Sequence, residues 1–105
     1  MTLEYKFPEG FWWGSAASAT QTEGAASEGG KGLNIWDYWY SQEPNRFFEG
    51  VGPESTSDFY NRYKEDIKLM KQIGHNTFRM SISWSRLIPG GEGEVNQEAV
   101  TFYTM

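Results

Sequence analysis

The strongest constraint on the fold is a stretch of helical periodicity, residues 57–73, that runs directly into a stretch of strand periodicity. Apolar side chains in the first stretch recur at spacings that place them on one helix face: Phe59, Tyr63, Ile67, Met70 and Ile73. Thr56, Ser57 and Asp58 can cap the start of such a helix, and Gly74 is the type of residue expected just past its end. We therefore predict a helix over residues 57–73.

The second stretch, Thr77 to Trp84, alternates apolar and polar side chains, which predicts a strand. An earlier segment, Phe11-Trp12-Trp13, is short, aromatic and continuously apolar, as in a parallel strand covered on both faces. Strand, helix and strand in this order predict a right-handed βαβ unit. Shorter helices are predicted to begin near Asn34 and near Asn96.

Composition narrows the classes of partner and cofactor. The 105 residues carry a net charge of −5, which disfavours nucleic acid or an anionic membrane as a partner. Cysteine is absent and His75 is the single histidine, so neither thiolate chemistry nor a zinc cluster is expected. No segment approaches the roughly 20 apolar residues of a membrane span, and we expect a soluble, cytoplasmic protein. The glycine-rich segment around Lys31 lacks the spacing of a phosphate-binding loop.

Three polar residues are candidates for a ligand site. In parallel α/β folds, ligands bind at the carboxyl ends of the strands. A run of small residues follows Trp13 and leads to Gln21 and Glu23, and the polar face of the second strand carries Arg79. Gln21 can both donate to and accept from adjacent sugar hydroxyls, and Arg79 can hold a carboxylate. Alternatively, Gln21 and Glu23 cap a loop or helix and Arg79 forms a structural ion pair.

Several motifs together resemble glycoside hydrolase family 1, and they occur in that family's order. They are F-W-W-G-S-A-A-S-A-T-Q-T-E-G-A at residues 11–25, N-I-W-D at 34–37, D-F-Y at 58–60, D-I at 66–67, F-R-M-S-I-S-W-S-R at 78–86 and G-E-V-N at 93–96. Within the family, residues 47–89 look most like bacterial 6-phospho-β-glucosidases.

The resemblance implies an α/β fold, the N-terminal βαβ portion of a (β/α)₈ TIM barrel, and retaining hydrolysis of β-glycosides without metal or organic cofactor. Gln21 matches the glutamine that binds sugar hydroxyls in the −1 subsite. Arg79 matches the arginine that keeps the nucleophilic carboxylate ionised, as an adjacent opposite charge does. Glu23 matches a signature position but neither catalytic acid, so it is expected to support the loop. Trp84 and Trp36 are expected to be structural.

One departure from the family signature is Thr20, where an aromatic residue, Asn or His usually precedes the glutamine. The larger departure concerns the carboxylates. Retaining glycosidases use two of them about 5–5.5 Å apart, and the family's Asn-Glu-Pro and Glu-Asn-Gly motifs do not occur in this sequence. A complete barrel also takes about 250 residues.

We therefore expect residues 1–105 to be one partial domain, holding the first two barrel strands and the first barrel helix and cut at Met105. By itself this piece should fold poorly and hydrolyse nothing, because it contains neither catalytic glutamate. The expected partner of the intact enzyme is a small β-glycoside or a phosphorylated disaccharide. Two alternatives remain open: a non-catalytic sugar-binding module, and a piece that self-associates through exposed sheet edges.

Overall fold

The computed structural model describes residues 2–105. Two strands pair in parallel, with Gly14 opposite Thr77 and Ala16 opposite Arg79. The elements in chain order are β1 (Gly14–Ala16), α1 (Ala19–Thr22), α2 (Ile35–Gln42), two 3₁₀ turns (Pro44–Arg46 and Phe48–Gly50), α3 (Phe59–Gln72), β2 (Thr77–Arg79), α4 (Trp84–Leu87) and α5 (Gln97–Tyr103). The predicted βαβ unit is therefore present, with α3 as its crossover helix.

The first strand is shifted along the chain and the second is shorter than the sequence predicted. The prediction of a first strand at Phe11–Trp13 is wrong, since pairing begins at Gly14. The aromatic side chains instead pack on one another, with the Phe11 and Trp13 ring centroids 4.6 Å apart. Gly14 approaches β2 so closely that a Cβ atom there would lie 2.0 Å from the carbonyl oxygen of Thr77. Close backbone approach therefore places the strand on the small residues that follow the aromatic ones.

The second strand ends at Arg79, and Trp84 belongs to α4 rather than to a strand. Beyond Arg79 the pairing gives way to isolated contacts. The backbone N–H of Ala17 donates to the Arg79 carbonyl at 2.9 Å, and that of Ala19 donates to the Ser81 hydroxyl at 2.8 Å. The alternation over residues 77–84 thus reflects an extended segment, of which only the first part forms a ladder.

The helix predictions agree closely with the structure. Helix α3 lies within the predicted range, and Gly74 adopts a φ of +94° just after it. Asn34 caps α2 through a capping box with Asp37, in which each side chain accepts a hydrogen bond from the other residue's backbone N–H. Asn96 caps α5, where its side chain accepts from the backbone N–H of Glu98 at 3.2 Å.

The apolar core is small and lies between α3 and α5. Phe59 and Phe102 are its two buried aromatic residues, with ring centroids 5.9 Å apart. Most of the other large apolar side chains stay exposed; Ile73, at the end of the α3 stripe, is 75% exposed. The radius of gyration is 17.2 Å, against about 13 Å for a compact domain of this length. Within residues 2–105, no helix has the length and apolar character to cross a membrane.

Candidate functional site

An open cleft of about 620 Å³ lies where the chain leaves the carboxyl ends of β1 and β2. Two segments form its polar side: residues 18–21, which include the start of α1, and residues 81–85, which follow β2. Asn34, Trp36 and a loop that the sequence did not mark as functional also line the cleft. That loop contributes Phe47, Val51, Gly52, Pro53 and Thr56. The cleft therefore lies at the end of the sheet where the sequence analysis expected a ligand.

Gln21 lies on α1 and lines this cleft. The Ser18 hydroxyl donates to Gln21 Oε1 at 2.6 Å, which fixes the orientation of the side-chain amide. Gln21 Nε2 has no hydrogen-bond partner among residues 2–105, and the residue is exposed. A short helix, held by the backbone of Ser18, thus presents an oriented amide donor to the cleft.

Two tryptophans add flat apolar surface to the same cleft. Trp36 is 45% exposed and Trp84 is 59% exposed, and both line the cavity. The indole N–H of Trp84 donates to the carbonyl of Gly91 at 2.8 Å, which holds the ring at one edge. Exposed aromatic faces of this kind pack well against sugar rings. Phe47 was missed because aromatic residues in an irregular loop have no periodicity to mark them.

Arg79 is the last residue of β2 and is exposed. Within the described residues 2–105 its guanidinium forms neither an ion pair nor a hydrogen bond. The alternative of a structural ion pair for Arg79 therefore has no partner in this part of the chain. Arg79 does not line the 620 Å³ cleft, so the structure brings it to the same end of the sheet as Gln21 without placing both in one cavity.

Glu23 lies at the centre of a buried polar cluster behind the cleft. It is 3% exposed, and its Oε1 accepts from Arg86 Nε at 2.8 Å. The phenol of Tyr103 donates to Glu23 Oε2 at 2.5 Å and accepts from the backbone N–H of Ser83 at 2.8 Å. Burial, followed by this hydrogen bond to Glu23, raises the pKa of Tyr103. Glu23 thus connects three distant segments of the chain.

Arg86 is fully buried and supplies the rest of this cluster. Its guanidinium donates to the carbonyls of Gly24, Ala25 and Glu28 at 3.1–3.2 Å. Its guanidinium carbon lies 4.3 Å from the centroid of the Tyr60 ring. These hydrogen bonds and this ring contact hold the loop that follows α1 against helix α4. The sequence placed Arg86 in a family motif but gave no partner for it, since 63 residues separate it from Glu23.

Lys31 and Asp37 form a second buried ion pair, with side chains 5% and 6% exposed. The Lys31 ammonium also donates to the Gly32 carbonyl at 2.9 Å, and Asp37 Oδ2 accepts from the backbone N–H of Asn34 at 3.0 Å. Lys31 therefore holds the glycine-rich segment against α2. This agrees with the sequence argument against a phosphate-binding loop there.

Comparison with known proteins gives a consistent result. The chain is 68% identical over 102 residues to the 6-phospho-β-glucosidase GmuD of Bacillus subtilis, which covers 97% of this chain and 22% of GmuD. Among solved structures, aphid myrosinase matches with a TM-score of 0.89 at 35% identity, over 95% of this chain and 22% of the other. A rice Os3BGlu6 β-glucosidase mutant in a covalent complex with glucose matches with a TM-score of 0.85 at 41% identity, over 93% and 20%.

The chain thus spans about a fifth of the length of these relatives. Their barrels explain why a two-stranded sheet here has open edges and a small core. The sequence profile of glycosyl hydrolase family 1 matches residues 3–105, which is nearly the whole chain. This protein belongs to glycosyl hydrolase family 1.

Proposed function

We propose that residues 1–105 form the first part, one partial domain, of a retaining β-glycosidase barrel that acts on β-glucosides. The observation that carries this proposal is the oriented amide of Gln21, whose Nε2 has no hydrogen-bond partner among residues 2–105, on an aromatic-lined cleft at the carboxyl ends of the strands. Membership of family 1 supports the reaction class. Gln21 binds hydroxyls of the sugar. The sequence analysis expected Trp36 and Trp84 to be structural, but both are exposed in the cleft, so we propose that they pack on the sugar ring or on the aglycone.

The reaction of the intact enzyme is a double displacement. One carboxylate attacks the anomeric carbon to give a glycosyl-enzyme, while a second carboxylic acid protonates the leaving oxygen. The second group, now a carboxylate, then takes a proton from water, which attacks the anomeric carbon and releases the sugar and the first carboxylate. Neither family motif that carries these glutamates occurs in residues 1–105. The role of Arg79 is to lie beside the nucleophile and keep it ionised, because a neighbouring cation lowers a carboxyl pKa. An exposed guanidinium without a partner in residues 2–105 is suited to that role.

The preferred substrate is a 6-phospho-β-glucoside. Similarity to GmuD, a 6-phospho-β-glucosidase, supports this choice. No Lys or Arg among residues 2–105 lines the cleft, and Lys31 is occupied by Asp37 and backbone carbonyls, so we propose that residues outside this chain bind the phosphate. Because the charge of a phosphorylated sugar keeps it from crossing a bilayer, the proposal also places the enzyme in the cytoplasm. The second candidate substrate is an unphosphorylated β-glucoside, supported by similarity to the rice β-glucosidase.

A chimera tests the proposal. In the chimera, this chain replaces the aligned 102 residues of GmuD. We expect it to hydrolyse 4-nitrophenyl β-glucoside 6-phosphate at a rate within about tenfold of GmuD, and faster than the unphosphorylated glucoside. The 105-residue chain alone should release no nitrophenol. A folded chimera without activity, or turnover by the isolated chain that is abolished in Gln21→Ala, would contradict the proposal.

The exposed aromatic residues could serve a non-catalytic sugar-binding module, and the open sheet edges could serve self-association. Both alternatives can be tested on the 105-residue chain. Titration of the 105-residue chain with glucose or cellobiose, followed by tryptophan fluorescence, should show no saturable change. Its sedimentation at increasing concentration reports self-association through the sheet edges. Saturable sugar binding by a monomeric chain would favour a binding module over a part of an enzyme.

A further inference from the structure

A cavity of about 10 Å³ lies behind the wall of the cleft, between the two buried ion pairs. Both members of the Lys31–Asp37 pair and both members of the Glu23–Arg86 pair line it. Thr20 lines this cavity and also lines the large cleft. The volume is about what one water molecule requires.

One buried acceptor at this cavity lacks a hydrogen bond. Asp37 Oδ2 accepts from Lys31 and from the backbone N–H of Asn34. Asp37 Oδ1 is also buried, yet it has no hydrogen-bond partner among residues 2–105. A buried carboxylate oxygen without a donor costs free energy, so native structures almost always supply a partner.

Neither neighbouring cation donates a hydrogen bond to Asp37 Oδ1. The Lys31 ammonium already donates to Asp37 Oδ2 and to the carbonyls of Gly32 and Ala26. The Arg86 guanidinium uses four of its five N–H groups for Glu23 and three backbone carbonyls, and the fifth makes no hydrogen bond among residues 2–105. Asp37 Oδ1 therefore remains available as an acceptor for a guest in the cavity.

The charges around the cavity indicate a neutral guest. Two carboxylates and two cations line it, so the site as a whole carries no net charge. A sodium or ammonium ion would add an uncompensated charge in a buried place, which is unfavourable. The small volume excludes anything larger than water.

We propose that this cavity is a structural water site, in which a water molecule donates to Asp37 Oδ1 and hydrogen-bonds to the hydroxyl of Thr20. The Thr20 hydroxyl has no partner among residues 2–105, and a buried water needs at least two polar contacts. Such a water joins α1, which carries Gln21, to the N-terminus of α2. The segment that presents Gln21 is then held from behind by solvent as well as by Glu23.

A crystal structure of the GmuD chimera, at a resolution that shows ordered water, tests this site directly. We expect one water peak within about 2.6–3.2 Å of both Asp37 Oδ1 and Thr20 Oγ1. Thr20→Val keeps the shape of the side chain but removes the hydroxyl, and it should abolish the peak. Thr101→Val, on the exposed face of α5, is the matched control and should leave the peak unchanged.

Three results would overturn the proposal: a dry cavity, a protein donor bonded to Asp37 Oδ1, or a peak with the coordination of a cation. A water that persists at full occupancy in Thr20→Val would overturn the bridge to Thr20. The hydration of the unsubstituted chimera decides the site even if the Thr20→Val protein does not fold.

Discussion

Arg79 and Arg86 belong to the same nine-residue motif, yet their surroundings are opposite. Arg86 is 0% exposed, forms an ion pair with Glu23, donates to backbone carbonyls and packs on Tyr60. Arg79 is exposed and has no partner among residues 2–105. A fully buried guanidinium requires hydrogen-bond and charge partners because it has lost its hydration, whereas water solvates an exposed one. The comparison separates an arginine that holds the fold from one that we propose acts in the reaction.

The same difference distinguishes the two regions around them. The cluster of Glu23, Arg86 and Tyr103 is closed within this chain, and it fixes the loop after α1. The two-stranded sheet, by contrast, ends in open edges, and large aromatic side chains such as Trp12 lie exposed beside it. The same chain therefore contains a buried polar cluster whose members pair with one another and a sheet whose edges and neighbouring aromatic side chains are exposed.

The largest expected effect comes from breaking the buried cluster. In the chimera, Arg86→Met should lower the free energy of unfolding by about 3–5 kcal/mol, because it leaves the Glu23 carboxylate buried and unpaired. Urea denaturation of the two proteins measures this change in the free energy of unfolding. The matched control is Arg62→Met, which removes an exposed pair with Glu65 at 3.6 Å and should cost less than about 1 kcal/mol. Equal losses in the free energy of unfolding for the two substitutions would show that the buried arginine contributes no more to stability than the exposed one.

Arg79→Met should affect the catalytic rate of the chimera more than its stability. We expect kcat/KM of the chimera to fall by roughly 100-fold, since a preorganised charge beside the reacting groups is lost. The urea midpoint should fall less than it does for Arg86→Met, because Arg79 forms neither an ion pair nor a hydrogen bond within residues 2–105. Arg79→Lys retains the charge but not the planar fork, so it should recover only part of the rate. A loss of stability without a loss of rate would show that Arg79 is structural.

Tyr103→Phe tests how much a second member of the buried cluster contributes to stability. Removing the hydroxyl leaves Glu23 Oε2 and the Ser83 N–H without their partner, at a cost of about 1–3 kcal/mol near neutral pH. The pKa of Tyr103 is raised above its ordinary value of 10.0 in the folded state. Above pH 10 the unfolded chain therefore loses this proton before the folded one does, and stability falls as pH rises.

The phenylalanine variant lacks that ionisation. The stability difference between the unsubstituted chimera and Tyr103→Phe should therefore shrink as the pH rises from 9 to 11. Thermal unfolding midpoints across this range measure the difference. A gap that stays constant above pH 10 would mean that the Tyr103 phenol ionises equally easily in both states.

Much of the helical structure was predictable because its signals are local. The apolar stripe of α3, the caps at Asn34 and Asn96, and Gly74 all act within a few residues of their own position. The first strand was misplaced because aromatic β-propensity reports side-chain packing, whereas pairing depended on the close approach that Gly14 allows. The Glu23–Arg86 pair could not be predicted, since nothing local connects residues 63 positions apart.

The candidate site shows the same division. Gln21 and Arg79 were singled out by their positions relative to the predicted strands, and the family resemblance then supplied their roles; the structure brings them to one end of the sheet. Glu23 is deeply buried and paired with Arg86 and Tyr103, and its supporting role stays a prediction. The cleft wall formed by Phe47 and Val51 depends on how an irregular loop folds back, which no periodic pattern records.

We propose that Gln21 binds the sugar of a glycosidase substrate, and one pair of variants of the chimera can show whether it does. Gln21→Ala should lower kcat/KM for 4-nitrophenyl β-glucoside 6-phosphate by at least roughly tenfold, the loss expected for about one hydrogen bond that matters in the transition state. Gln42→Ala, an exposed glutamine at the end of α2, should leave kcat/KM unchanged. Equal kcat/KM values for the two variants would contradict the account.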